Sequence, residues 1–180
     1  MLYCYDSYED LPEITAQQDA ACYEVSDKWA WFKGAMGIAK NVEIPIAKSL
    51  IRVLSKERVH LIKGYFSDTI PAALRPGRAA IVHIDCDLFS STLEVLTALG
   101  TNGVLQNGTL LVMDDWNCNR ANPAMGERSA LAAFLEREPR FSVSPWFSYG
   151  WHGQVFIVHA AFRIGIRGEE IQHEANCPTI

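Results

Sequence analysis

Short apolar runs alternate with stretches whose apolar residues recur every three or four positions, a pattern that predicts an α/β sheet with parallel strands. Four runs read as strands: Leu2 to Tyr5, Val59 to Lys63, Ala79 to Ile84 and Thr109 to Met113. They lead into Asp6, Gly64, Asp85 and Asp114 respectively. In open α/β sheets ligands bind outside the carboxyl ends of the strands, so chemistry is expected at these four turns.

Between the strands, Val42, Ile46, Leu50 and Leu54 repeat at helical spacing, with Pro45 tolerable in a first turn. Ser91 and Glu94 read as a capping box ahead of Leu96 and Leu99, which starts a helix right after the Asp85 loop. Leu131, Phe134 and Leu135 mark a further helix that Pro139 ends. Phe141 to Phe147 and Val155 to Phe162 are β-rich and joined by SYGWHGQ, which predicts an antiparallel hairpin. His83 and His159 fall inside strands and read as core histidines. Residues 1–162 are expected to form one catalytic core, and 163–180 a polar tail.

Composition narrows the partners. With 180 residues, 49% of them hydrophobic, the chain can bury one sizeable core. A net charge of −5 and no run of Lys or Arg argue against nucleic acid, and a small neutral or cationic partner suits better. No apolar stretch approaches the roughly 20 residues of a membrane span, and acidic groups stand where a signal peptide would be basic, so a cytoplasmic protein is expected. Cys4, Cys22, Cys86, Cys118 and Cys177 show no C-x-x-C spacing, which suggests reduced thiols rather than disulfides or zinc.

The informative strings are VHIDCD (Val82 to Asp87) and LLVMDDWN (Leu110 to Asn117). Adjacent in one sheet, they would crowd three or four carboxylates together. Two like charges about 4 Å apart repel by roughly 4 kcal/mol at an effective dielectric near 20, so such a cluster implies raised pKa values or a bound cation. All-oxygen ligands favour Mg²⁺ over zinc. The same aspartates could instead cap helices and pin loops. Three chemistries use acids at strand ends. A haloacid-dehalogenase-like phosphatase would use Asp85 as nucleophile and Asp87 as acid/base, but Phe89 stands where Thr or Val is wanted. A nucleotide-sugar glycosyltransferase would hold a metal diphosphate with D-x-D and leave the second doublet without work. A methyltransferase uses both doublets.

Four strings in order, YDSYEDLPE (Tyr5 to Glu13), VHLIKGYFSDTIP (Val59 to Pro71), IVHIDCDLFSSTLEVL (Ile81 to Leu96) and LLVMDDWN, resemble the pattern of the macrocin O-methyltransferase (TylF-like) family; RSALAAFLE (Arg128 to Glu136) resembles the helix after its second acidic doublet. The resemblance implies a class I methyltransferase, Rossmann-like α/β sheet with a C-terminal antiparallel hairpin. It also implies an S-adenosylmethionine- and Mg²⁺-dependent O-methyltransferase acting on a small-molecule hydroxyl of a sugar or natural product. It assigns Asp6, with Ser7 beside it, to the cofactor's ribose, and Gly64, Tyr65, Phe66 and Ser67 to the adenine; Tyr65 and Phe66 could equally be core aromatics. Asp85, Asp114 and Asp115 match the metal ligands, Asp85 lies nearest the cofactor and is the implied proton acceptor, and Asp87 with Ser90 and Ser91 is expected to cap the next helix.

Departures are few. Glu9-Asp10 replaces an acid followed by glycine, Phe89 replaces a tyrosine, and Leu88 stands where the related catechol enzyme has a lysine base. Asp68 and Thr69 are expected to shape the turn into Pro71, and KGAMGIAK (Lys33 to Lys40) to be a loop. The fold's first strand, with its glycine-rich turn, has no counterpart in the sequence. Without it, two open strand edges would invite pairing with another copy, so a homo-oligomer with weakened cofactor binding is expected, and a catalytically inactive interaction module is the competing reading. Trp116, Trp146, Tyr149, Trp151 and His152 could present flat faces to an acceptor or simply pack on the sheet edge.

Overall fold

A computed structural model describes residues 1–14, 16–20, 33–35, 37, 39–74 and 77–161. The tail from Arg163, Phe162, Cys22 and Cys177 lie outside the described residues. Strand β1 (Leu2–Asp6) pairs in parallel with β2 (Val59–Lys63), Asp6 opposite Lys63. Strand β3 (Ile81–Ile84) pairs in parallel with β4 (Leu110–Met113), Ile84 opposite Met113. Asp85 and Asp114 therefore leave the sheet side by side.

The expected hairpin forms from β5 (Phe141–Tyr149) and β6 (Gly153–Ala160). Its second arm lies antiparallel against β4, which gives the order β3-β4-β6-β5. As the edge, β5 tolerates Pro145, and its register shifts between Pro145 and Phe147. Among the described residues no ladder joins this four-stranded sheet to the β1-β2 pair, so β1 and β3 each keep one unpaired edge.

The helices are α1 (Glu43–Leu54), α2 (Phe66–Ala73), α3 (Phe89–Thr101) and α4 (Gly126–Arg137). Pro45 sits in the first turn of α1, where its missing N–H costs nothing. Asp68 and Thr69 do not form a turn into Pro71: all three lie within α2, and the Thr69 hydroxyl donates to the Tyr65 carbonyl at 2.9 Å. The expected capping box is also not formed. Helix α3 starts at Phe89, so Ser91 and Glu94 are already inside it, and its N-cap Leu88 has no acceptor. Buried Asp19 does the work instead, accepting the Phe89 and Ser90 N–H groups at 2.6 and 3.2 Å. The described part of Lys33 to Lys40 is turn and irregular, as expected of a loop.

One face of the four-stranded sheet is sealed. Ile84, Leu111, Met113, Phe156 and Val158 pack with Val95, Leu96 and Leu99 of α3 and Leu131 and Phe134 of α4. Strand alternation sends Ile81 and His83 to the other face, where both are exposed, as is His159. The histidines are thus surface residues and not core ones. Cys4, Cys86 and Cys118 are free thiols.

Phe134, 2% exposed and stacked on Phe141 at 5.6 Å, anchors α4 to this core. Phe134→Ala is expected to lower stability by about 3–5 kcal/mol in urea unfolding. Ile81→Ser, on the open face, should change it by less than about 0.5 kcal/mol. Equal losses would mean that the two faces are wrongly assigned.

Candidate functional site

The register that sets Asp85 beside Asp114 also brings their neighbours together. Carboxylate oxygens of Asp85, Asp87 and Asp115 all lie within 4.8 Å of one another. Asp87 gets there by a strained turn: its φ is 58°, and the Leu88 N–H bonds back to the Cys86 carbonyl at 2.5 Å. Positive-φ turns of this three-residue kind are rare for a side-chain-bearing residue, and strain held in place by its surroundings points toward function. Asp115 is supported on one side only. Its Oδ1 accepts the Cys118 thiol at 3.2 Å, while its Oδ2 is buried without a partner.

Crowding shows in the proton affinities. Asp87 is pushed up to about 8, first by burial and then by the charges of Asp115 and Asp85. Asp85 is raised by burial and by Asp115 and Asp114. Glu127, in the first turn of α4, is raised to about 9 by burial and by Asp115. Converging hard oxygens with an orphaned buried lone pair fit a small divalent cation.

Asp114 stands apart from that triangle. Its Oδ1 accepts the Tyr149 hydroxyl at 2.7 Å, with His83 Nε2 3.5 Å away. His152 Nδ1 lies 2.7 Å from the Asp114 carbonyl, which can only accept, so Nδ1 carries the hydrogen. The Asn117 N–H bonds the His152 carbonyl at 2.8 Å and its side chain reaches the Trp151 carbonyl at 3.2 Å. The hairpin turn is thereby tied to the acidic loop.

Toward the β1-β2 pair, Asp6, Ser7, Gly64, Tyr65, Phe66 and Ser67 all line one cavity of about 660 Å³, which extends to Asp85 and Asp87. That volume is of the size that holds a cofactor or small ligand. Asp6 makes an Asx turn, its Oδ1 accepting the Tyr8 N–H at 2.6 Å, and Ser7 bonds the Asp10 carbonyl. Gly64 donates to the Asp6 carbonyl at 2.9 Å. Its φ of +139° and a Cβ position only 2.8 Å from the Thr69 methyl leave no room for a side chain. Phe66 also packs against the core, and the Tyr65 hydroxyl donates to Asp10 at 2.9 Å.

The structure brings the expected cofactor-side residues to one cavity and sets Asp85 beside Asp115. Sequence reasoning did not anticipate Asp87 in the cluster, Glu127 beneath it, or the grip of Tyr149 and His152 on Asp114. Asp87 was visible as half of D-C-D, whereas Glu127 sits in a helical pattern that reads as surface. Trp116 is committed to packing, edge-on to Phe156 at 4.7 Å with the Arg128 guanidinium 4.5 Å over its ring. Trp146 and Trp151 are exposed at 57% and 74%.

A family model described as Macrocin-O-methyltransferase (TylF) matches residues 1–134. The 8-demethyl-8-(2,3-dimethoxy-alpha-L-rhamnosyl)-tetracenomycin-C 4'-O-methyltransferase of Streptomyces olivaceus is 28% identical over 120 residues, which is 67% of this chain and 43% of that protein. The solved structure of the O-methyltransferase NovP superposes with a TM-score of 0.63 at 19% identity, over 88% of this chain and 59% of that one. The latter likeness establishes the fold: a Rossmann-like methyltransferase sheet. The chain spans about half the length of these relatives.

A carboxyl whose proton affinity rises on folding destabilises the fold as pH increases, because the folded state keeps a proton that the unfolded chain releases. For Asp87 this loss should accumulate between about pH 4, the ordinary carboxylate range, and about 8. In chelator, Asp87→Asn is expected to melt higher than wild type at pH 8 and close to it at pH 4. A difference that does not grow with pH would show that Asp87 is not crowded.

Proposed function

The chain belongs to the macrocin O-methyltransferase (TylF) family, and from that premise we propose that it transfers a methyl group from S-adenosylmethionine to a hydroxyl of a sugar or other natural product, assisted by Mg²⁺. The observation that carries this reading is the convergence of Asp85, Asp87 and Asp115 oxygens within 4.8 Å, at the end of a cavity that begins at Asp6 and Gly64. When bound, Mg²⁺ would make an acceptor hydroxyl more acidic, and S-adenosylmethionine would supply a methyl group on a sulfonium.

Asp85 and Asp115 are supported as metal ligands both by motif and by distance. Asp114 is supported by motif and Asp87 by distance, one on either side of that pair. Asp6 offers only acceptors, which suits the two hydroxyls of a ribose, and Gly64 permits close approach of a flat base toward Tyr65 and Phe66. Ser7 and Ser67 add hydroxyls to the same wall. Asp85 borders both the cavity and the acidic cluster and is exposed, which suits it to accept the hydroxyl proton. Holding both reactants on rigid strand ends supplies much of the rate.

The acceptor then approaches from the hairpin, where Trp151 and Trp146 offer exposed flat faces of the kind that pack on sugar or fused rings. The curated relative's name, which describes methylation within a rhamnosyl group on tetracenomycin, agrees with that class. The unpaired edges of β1 and β3 favour completion of the sheet by pairing, including with a second copy. A phosphatase or glycosyltransferase would use the same acids but has no use for the Asp6–Gly64 wall.

Asp115→Asn should weaken Mg²⁺ binding by at least about tenfold and abolish Mg²⁺-dependent methyl transfer, with the fold intact by circular dichroism. Normal metal affinity in that variant would remove Asp115 from the site. In protein that binds S-adenosylmethionine, Asp6→Ala should cost about 1.5–3 kcal/mol of cofactor affinity by calorimetry and leave Mg²⁺ binding unchanged. An unchanged cofactor affinity would exclude Asp6.

A further inference from the structure

The first turn of α4 touches both acid-bearing loops. Gly126 has a φ of +50°, and a Cβ placed there would stand 3.3 Å from the Asp87 carbonyl and 3.0 Å from Asn119 Nδ2. The helix therefore begins against the strained Asp87 turn at a distance that a side chain would disturb. The next residue, Glu127, is 1% exposed, and its Oε2 accepts the Asp115 N–H at 3.1 Å. Glu127 Oε1 is buried without a hydrogen-bond partner in ordinary geometry. Arg128 continues the contact: Nε donates to the Trp116 carbonyl at 2.7 Å and Nη2 to Asn117 Oδ1 at 2.6 Å.

Three consecutive residues of one helical turn thus reach the Cys86–Asp87 turn on one side and Asp115 to Asn117 on the other. β3 and β4 align only as far as Ile84 and Met113; beyond that pair their register no longer sets the relative position of the two loops. A carboxylate has only acceptors to offer, and this one takes the Asp115 N–H of one loop while the residue before it, Gly126, lies against the Asp87 carbonyl of the other. We propose that Glu127 is a positioning residue of the metal site: it holds the backbone of Asp115 at a set distance from the Cys86–Asp87 turn and so fixes the spacing of the Asp85, Asp87 and Asp115 oxygens. This role rests on the reading of those carboxylates as a cation site. Glu127 itself touches neither substrate nor cofactor.

The test uses two variants and two readouts. Glu127→Ala removes the acceptor; Glu127→Gln keeps a carbonyl oxygen where the Asp115 N–H points. In metal-free protein, hydrogen exchange at the Asp115 amide, followed by NMR, should be at least about tenfold faster in Glu127→Ala and near wild type in Glu127→Gln. Mn²⁺ affinity, read from the electron paramagnetic resonance of the free ion, should fall about 10- to 100-fold in Glu127→Ala and by less than about threefold in Glu127→Gln. Recovery in the glutamine variant separates positioning from a general loss of fold. If wild type binds Mn²⁺ and Glu127→Ala binds it equally well, or if Asp115 exchange is unchanged, the positioning role is overturned while the cation site stands. If wild type binds no Mn²⁺, the cation site itself fails, and this role with it.

Discussion

Repulsion among carboxylates brought together by a parallel strand pairing is the constraint from which the rest of this molecule follows. Once Ile84 lies opposite Met113, the residues after them must emerge together. Both turns are rich in aspartate, so the pairing brings their charges near one another and the loops set the final spacing. At contact distances and intermediate dielectric such repulsion is worth several kcal/mol per pair, a large part of a domain's net stability. The structure meets it in two ways: it lets protons bind more tightly, as at Asp87, and it keeps one lone pair, Asp115 Oδ2, buried and free. The first is a response to missing positive charge. The second is what the proposed cation site would use.

A cluster under that strain needs scaffolding on every side, and each piece comes from a different part of the chain. Asp19 caps the helix that follows the first doublet from 70 positions away. The turn between β5 and β6 grips Asp114 through Tyr149 and His152. Helix α4 closes the underside with Gly126, Glu127 and Arg128. None of these contacts is a large hydrophobic contribution; their common effect is to remove freedom from loops that repulsion would otherwise spread apart. The hydrophobic work is done a layer away, where Phe134, Leu96 and Leu111 seal α3 and α4 onto the sheet.

This division of labour explains what could be read from the sequence. Strand ends, helical repeats and the hairpin depend on periodicities a few residues long, and those elements appear where the periodicities place them. Asp6, Gly64, Asp85 and Asp115 end apolar runs, and it was the resemblance to a family motif, not the run itself, that singled them out from aspartates that cap helices or pin loops. The structure puts Asp6, Gly64 and Asp85 on one cavity and Asp85 with Asp115 in one cluster. The cap of α3 was not. Ser91 and Glu94 satisfy the local rule for a capping box, yet Asp19 supplies two acceptors exactly where the first helical N–H groups emerge, and no local pattern can reveal a partner 70 positions distant. His83 and His159 were misread for a related reason: strand membership says nothing about which face is covered, and Ile81, His83 and His159 are exposed on a face that is buried further in, at Val155.

The two sides of the acidic cluster differ, and on the proposed reading each takes a different ligand. On one side the cavity is lined by the Asp6 and Asp85 carboxylates, the Ser7 and Ser67 hydroxyls, the Gly64 backbone and the rings of Tyr65 and Phe66, a wall with both polar and flat apolar faces. On the other, the hairpin offers indole faces and a histidine whose hydrogen is already committed to the Asp114 carbonyl. On the proposed reading the sulfonium donor occupies the first environment and the rings of a hydroxyl compound pack on the second. Asp85 borders the cavity and belongs to the cluster, which on the same reading puts it between the two ligands. Its proton affinity is raised, first by burial and then by Asp115 and Asp114, the direction that the proposed role of proton acceptor calls for.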